Sequence, residues 1–325
     1  MSDLVDSAED LKIIDALQTD PRVSPEALAA VIGGNARSLR RRMNRMLSDG
    51  TVRVVASPAI SLDHGVLFLR LRVLRGEVDA VAAALARRAD IPYIDVSVGG
   101  DQIAAVMAAD PTTTRALVFR QLPATSAVVS VDAQPVIHVF CDSSDWRIGS
   151  LTATERAALA PAYDADEKRP SDLDPLIVRE LELQPRASAA AIAQVIGAPA
   201  SSVRRRLSEI IRSRRVVLQT FVDPHRLGLG LDADLWMRVP PAHLARVGAA
   251  LAAHPAVHGA FATAGTLNLH AAVWLRDTED LYIFTTTVLA DLGVEQLETV
   301  VIGQSVKRPG LGRSTPRDPK NRLAD

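Results

Sequence analysis

The sequence predicts an α+β chain in which two winged helix-turn-helix domains alternate with two ferredoxin-like βαββαβ domains. Three observations carry that prediction. First, the chain repeats itself. Residues 21–47 read PRVSPEALAAVIGGNARSLRRRMNRML and residues 185–211 read PRASAAAIAQVIGAPASSVRRRLSEII, so Pro21, Gly33 and Arg40-Arg41-Arg42 recur at Pro185, Gly197 and Arg204-Arg205-Arg206, a constant offset of 164 residues. Second, each repeat reads as short helices with a glycine turn before the last of them. Third, each is followed by a segment whose apolar period switches from helical to alternating.

The elements of the first copy follow in order. Leu11, Ile14 and Leu17 have helical spacing, and that helix stops near Thr19-Asp20-Pro21. Ser24 is placed to cap a second helix with Pro25 at its first position, and Gly33-Gly34 ends it. Asn35 can cap a third helix in which Leu39, Met43, Met46 and Leu47 form one stripe, leaving Arg37, Arg41, Asn44 and Arg45 on the opposite side. Arg40 and Arg42 flank the stripe, where a long stem can pack and its head reach a phosphate. Asp49-Gly50 ends the helix, and 52–55 reads as the strand of a wing.

The period then changes. Leu67, Leu69, Leu71 and Val73 alternate with Phe68, Arg70 and Arg72 as a strand, and Val78, Val81 and Leu85 mark a helix. Strands over 93–98 and 103–107 flank a Gly99-Gly100-Asp101 turn. A helix over 112–121 and a strand over 128–140 complete a βαββαβ order. The second copy repeats it, with strands near 233–239, 257–262, 267–275 and 294–306 and helices near 242–253 and 278–289. The predicted domains are 1–60 and 171–224 for the helical units and 61–142 and 225–306 for the βαββαβ units. A linker with one short helix spans 143–170, and a disordered basic tail spans 307–325.

Composition narrows the function classes. The apolar fraction of 48% supplies ample core for about two to four domains in 325 residues. A lone cysteine, Cys141, excludes an intrachain disulfide and fits a reducing compartment, so a cytoplasmic location is expected. No stretch approaches the roughly 18 apolar residues of a spanning helix, and no membrane partner is expected. Net charge is −1, yet residues 35–47 hold five arginines and no acid, and 203–215 hold six arginines against Glu209. Such local clusters are what neutralise phosphates. Aromatic residues at 4% disfavour a single-strand binder built on stacking, which leaves double-stranded DNA.

The run DLKIIDALQTDPRVSPEALAAVIGGNARSLRRRMNRMLSDGTV, followed by a βαββαβ unit whose central turn reads GGDQIAAV, resembles the Lrp/AsnC family of prokaryotic transcriptional regulators. Both copies show the order, so the resemblance covers nearly the whole chain outside the linker and tail and points to a tandem version with two AsnC-type effector domains. It implies binding to double-stranded promoter DNA as a homo-oligomer, dimer or higher, and control by an amino-acid-like small-molecule effector held between effector domains. Carried over by position, it makes 35–47 and 199–211 the recognition helices. The DNA-binding candidates are then Asn35, Arg37, Ser38, Arg40, Arg41, Arg42, Asn44, Arg45, Ser201, Ser202, Arg204, Arg205 and Arg206. Gly99, Gly100 and Asp101 become the effector-binding turn. The second copy departs there, reading Gly265-Thr266-Leu267-Asn268 with no acid, and its recognition helix starts at Pro199 and carries Glu209.

Plainer readings stand beside these. An arginine-rich helix is often a solvated face, and Gly99-Gly100-Asp101 is simply a hairpin turn in which glycine supplies positive φ. His138 and Cys141 lack a second ligand pair, so no metal is expected. Trp236 and Trp274 alternate with apolar residues, which favours packing. No GxSxG, HExxH or GxxxxGK[ST] motif occurs, and neither enzymatic activity nor a cofactor is expected. Two alternatives remain. Tetrapyrrole (siroheme) decarboxylases resemble the same family and also occur as paired halves, but VHGAFATAGTLNLHAAV and PYIDVSVGGDQIAAV lack their combination of His, Tyr and Arg. The other is an interaction protein that has lost DNA contact. Pairing of the two effector domains within one chain or between chains is equally allowed.

Overall fold

The computed structural model describes residues 4–5, 7–58, 65–108, 110–163 and 170–308. In chain order the first half contains α1 (Ala8–Thr19), α2 (Pro25–Ile32), α3 (Ala36–Ser48), β1 (Val52–Pro58), β2 (Val66–Val73), α4 (Val78–Ala86), β3 (Tyr93–Ser97), β4 (Gln102–Ala108), α5 (Pro111–Ala116) and β5 (Val128–Cys141). There follow α6 (Ala153–Leu159), α7 (Asp174–Leu183), α8 (Ala189–Ile196), α9 (Ala200–Arg212), β6 (Val216–Val222), β7 (Leu231–Arg238), α10 (Pro241–Ala252), β8 (Val257–Thr263), β9 (Leu269–Leu275), α11 (Thr278–Ile283), α12 (Ala290–Leu292) and β10 (Gln296–Lys307). The described residues within 1–60 and 147–228 form one unit, and those within 61–146 and 229–325 form another.

The first unit holds both helical clusters. Ser24 accepts from the Ala27 amide at 3.1 Å, Pro25 opens α2, and Gly33 ends it at φ +78°, a conformation that suits a residue without Cβ. Asn35 caps α3 by accepting from the amides of Arg37 and Ser38 at 2.8 and 3.4 Å. The stripe Leu39, Met43 and Met46 is buried against Ile13, Ile14, Leu17 and Leu28. The second cluster repeats this with Val203, Leu207 and Ile210 of α9 against Ile177, Leu181 and Ile192.

What joins the clusters is not apparent from either alone. Strands β1 and β6 pair antiparallel from Val52↔Val222 to Pro58↔Val216, centred on Val55↔Gln219. With the 164-residue offset, the central pair joins equivalent positions of the two copies, so the ribbon is self-complementary in register. Each strand also serves the other copy: Val222 lies in the core of the first cluster, Ala56 packs against that of the second, and the Thr220 hydroxyl donates to the Leu17 carbonyl at 2.5 Å. The segment expected as a linker is partly built into this unit. Leu151 and Leu159 are buried in the first cluster, the Leu151 amide donates to Asp15 at 2.7 Å, and Lys12 pairs with Glu155 at 2.8 Å.

The second unit is a closed eight-stranded barrel in the order β10-β3-β4-β2-β5-β8-β9-β7. Each βαββαβ set makes an antiparallel sheet, and the seams β10–β3 and β5–β8 close one sheet on the other within the chain, leaving no free edge in the barrel. The outward faces bury Leu67, Leu69 and Leu71 under Val81 and Leu85 of α4, and Leu235, Met237 and Val273 under Val247 and Leu251 of α10. The predicted helices over 112–121 and 278–289 begin as α5 and α11 but continue as π-helical turns, Leu117–Gln121 and Phe284–Leu289. The predicted tail needs a correction at its start: Lys307 ends β10 and donates to the Arg88 carbonyl at 2.5 Å, and Arg308 pairs with Asp95 and Asp232. The rest of that tail, 309–325, lies outside the described residues. No described helix is long and apolar enough to cross a membrane.

Candidate nucleic-acid interface

Helix α3 presents Arg37, Arg41, Asn44 and Arg45 on its exposed side. The side chains of Arg37 and Arg41 make no hydrogen bond or ion pair among the described residues. Arg40 pairs with Glu26, both more than half exposed, an arrangement weak enough to yield to a phosphate. Ser38 is half-buried, and the Asn35 side chain is committed to its cap.

Two of the candidates must be reassigned. Arg206 was expected to touch DNA, but it is only 5% exposed and its guanidinium grips the Asp174 carboxylate, with Nε donating at 2.8 Å. Arg42 occupies the equivalent place in the first copy, pairing with Asp10 at 3.0 Å and Glu9 at 2.8 Å. Both arginines brace the third helix of a cluster, α3 or α9, against its first, α1 or α7. The reason is angular: on the flank of the apolar stripe, a buried carboxylate lies within reach and takes the guanidinium. The signal was present in the sequence, because Asp10 and Asp174 are themselves separated by the offset of the repeat. Burial pushes the Asp174 carboxyl up, but hydrogen bonds from Arg206, the Ser171 amide and Arg215 outweigh it and hold its pKa below the ordinary carboxylate range.

On α9, Ser201, Arg204 and Arg205 are exposed and Ser202 is half-buried. Glu209 sits where α3 has Arg45 and accepts from Arg206 at 2.6 Å and Arg205 at 3.3 Å. The two helices share one unit through a reciprocal clasp that sequence reading missed. Arg22 donates to the carbonyls of Pro185 and Ala187 at 2.6 and 2.7 Å, and Arg186 donates to those of Pro21 and Val23. Burial lowers both guanidinium pKa values, and the neighbouring Arg186 cation lowers that of Arg22 further.

In the barrel unit, Gly99, Gly100 and Asp101 form the β3–β4 hairpin turn, with Gly100 at φ +66°. The Ser97 hydroxyl donates to Asp101 at 3.5 Å and accepts from the Gln102 amide at 3.2 Å. In the second turn Asn268 instead clamps the end of β7, accepting from the Val239 amide and donating to its carbonyl, both at 2.9 Å.

The barrel interior holds a Phe68, Trp236, Phe261 and His270 cluster, with Arg70 over the Trp236 ring at 4.7 Å. Beside it lies a narrow pocket lined by Arg70, Asp95, Ser97, Gln102 and Asp234 and by the apolar Ile103, Trp236, Val300 and Ile302. Arg308 bridges Asp95 and Asp232 at 3.0 and 2.5 Å, and burial pushes the Asp95 carboxyl up to about 6 despite Arg308. Trp274 stacks on His258 with centroids 4.0 Å apart. No group of three or more His, Cys, Asp or Glu among the described residues is placed to hold a metal.

The AsnC-type helix-turn-helix domain model matches residues 8–47, and the Lrp/AsnC ligand binding domain model matches residues 233–311. An uncharacterized HTH-type transcriptional regulator of Pyrococcus abyssi is 29% identical over 146 residues, which is 44% of this chain and 90% of the relative. Among solved structures, a siroheme decarboxylase in complex with an iron-uroporphyrin III analogue is similar along 94% of both chains, with TM-score 0.59 and 14% identity, a likeness of fold alone. Escherichia coli AsnC is 18% identical over 46% of this chain and 99% of its own, with TM-score 0.39. In one polypeptide, residues 8–47 are similar to an AsnC-type helix-turn-helix and residues 233–311 to an Lrp/AsnC ligand binding domain, so the likeness of this chain is to DNA-binding transcriptional regulators of the Lrp/AsnC type.

Proposed function

We propose that the chain is a duplicated regulator that binds double-stranded promoter DNA with both helical clusters and responds to an amino-acid-like effector through its barrel unit. The observation that carries this reading is the self-complementary joint of the first unit. The Val55↔Gln219 centre and the reciprocal Arg22 and Arg186 bonds relate α3 and α9 as a dimer's two recognition helices would be related. A regulator normally obtains that geometry from two copies, reading two half-sites. Here one chain supplies it. Arg37, Arg40, Arg41, Asn44 and Arg45 are the proposed contacts of the first cluster, with Ser201, Ser202, Arg204 and Arg205 in the second. Gly99, Gly100 and Asp101 are the proposed effector turn, and the cytoplasm is the proposed location.

The test is binding to genomic promoter fragments at several salt concentrations. With about five phosphates neutralised, affinity should fall about 500-fold between 50 and 200 mM salt. The double variant Arg41→Ala, Arg205→Ala should weaken binding further. Binding that ignores salt and both substitutions would remove this reading.

The fold likeness to a siroheme decarboxylase makes the non-enzyme reading worth testing directly. Rings of Phe68, Trp236, Phe261 and His270 lie with centroids 4.4–6.0 Å apart inside the barrel, a packing that opposes entry of a flat macrocycle. Titration with iron-uroporphyrin III should therefore leave the porphyrin absorbance unchanged, and a saturable shift would favour the enzyme.

A further inference from the structure

The two recognition helices are alike in fold and unlike in the chemistry they expose. Compared position by position at the 164-residue offset, the outward residues of α3 are Arg37, Arg41, Asn44, Arg45 and Ser48. Those of α9 are Ser201, Arg205, Ser208, Glu209 and Arg212. All are exposed except Glu209, whose carboxylate is turned against Arg206 and is 11% exposed. The guanidiniums of α3 therefore cluster through its first two and a half turns, with Arg37 and Arg41 open and Arg45 paired to Asp10 at 2.8 Å, while α9 keeps Arg204 and Arg205, carries serines in place of Arg37 and Asn44, and adds Arg212 in the last turn and Arg214 just beyond. Arg214 holds φ +55° where the first copy has Gly50, and its guanidinium lies 5.0 Å from the Tyr163 ring.

Base edges are read by residues from the N-terminal part of a recognition helix, and backbone phosphates are met at its ends and flanks. Free guanidiniums at Arg37 and Arg41 can each take a guanine edge bidentately, and Asn44 can take an adenine. Serine at 201 and 208 bonds to any base and discriminates little. An exposed pair four residues apart is too weak to immobilise Arg205, but the Glu209 carboxylate, held at 3.3 Å in the place where α3 has Arg45, puts a negative charge on this face that α3 lacks.

Resting on the DNA-binding reading above, we infer that the chain recognises an asymmetric operator, with α3 reading bases in one half-site and α9 holding the other chiefly through its phosphates. Glu209 is the residue that most separates the two faces.

The experiment is selection of binding sites from a randomised duplex pool by the full chain, followed by affinity and salt dependence for four variants. The selected sites should show one half with strong base preferences and an adjacent half with nearly none. Arg37→Ala combined with Arg41→Ala should flatten the strong half and cost about tenfold or more on the selected duplex. Arg41→Lys, which keeps the charge and loses the fork, should lose base preference while leaving the salt slope unchanged. Arg212→Ala should weaken all duplexes by a similar few-fold and reduce the salt slope by about one, with the selected motif intact. Glu209→Gln should tighten binding to all duplexes and steepen the slope. These arginines are exposed, so a circular dichroism spectrum and melt like the parent's are expected for their variants. A selected palindrome with two equally strong halves would overturn the inference while leaving DNA binding intact, as would a change of motif in Arg212→Ala. Failure to bind any duplex would overturn both.

Discussion

A single arginine can change role by a rotation of one position on a helix. Arg41 and Arg42 are neighbours, yet Arg41 faces solvent while Arg42 is tied to Glu9 and Asp10, and the same division separates Arg205 from Arg206. The two braces are not equal in burial. The Arg206 side chain is 6% exposed and its Asp174 partner 9%, whereas Arg42 is 32% exposed. Arg206→Ala removes the guanidinium from a buried carboxylate but leaves Arg215 on Asp174 at 2.7 Å, so it should cost about 2 kcal/mol of stability. Arg42→Ala should cost about 1 kcal/mol, because water replaces part of what is lost. Denaturant melts of the two variants would check the order. The pH dependence has a definite sign. The folded pKa of Asp174 lies below its unfolded value near 3.9, so its contribution is complete above about pH 4 and is lost as pH falls through the folded pKa. Arg206→Ala should therefore show less additional acid destabilisation below pH 4 than the parent, and equal loss in both would remove Asp174 from the account.

At the scale of elements, what the sequence made legible is what repeats locally. The stripe Leu39, Met43 and Met46, the Ser24 and Asn35 caps, and the alternation along Leu67, Leu69 and Leu71 each leave a pattern within a dozen residues, and each lies where that pattern puts it. Pairings that cross the chain leave no such pattern. Nothing near Val52 announces that its strand pairs with 216–222, and nothing near Val222 announces a place in the first core. The π-helical turns in 117–121 and 284–289 were also invisible, because one shifted hydrogen bond hardly alters apolar spacing. At the candidate interface, the helix was legible and the division of its arginines only partly so: charge type is written in the sequence, but the carboxylate each finds is set by packing. The ribbon and its clasp make a prediction of their own. In Arg22→Ala combined with Arg186→Ala, the carbonyls of Pro21, Val23, Pro185 and Ala187 lose their donors, and a buried group left unpaired costs about 1–3 kcal/mol. Hydrogen exchange should rise along 52–58 and 216–222 while the barrel strands keep their protection. DNA affinity should fall as well, although neither arginine is a proposed contact. Unchanged exchange in the ribbon would show that the strands alone hold the joint.

For the whole molecule, the seams decide whether half of it can exist alone. The first half would expose β1 without β6 in the helical unit, and β3 and β5 without β10 and β8 in the barrel unit. Open edges of this kind invite pairing with another chain. The proposed duplication says which chain would satisfy them: a second copy of the same half, since the β1–β6 register is centred on equivalent positions and β1 can meet its own copy about Val55 in the same antiparallel way. A fragment of residues 1–160 retains Leu151 and Leu159, which the first cluster buries, and so keeps most of its core. That fragment should be a dimer by light scattering at micromolar concentration. Its melting temperature should climb with concentration, because association and folding are then one equilibrium. In the full chain these seams are intramolecular, so diluting it should not open them. A fragment that stays folded as a monomer, with a melt independent of concentration, would mean that the halves no longer carry each other's missing edges, and that the likeness of the two copies is one of element order alone.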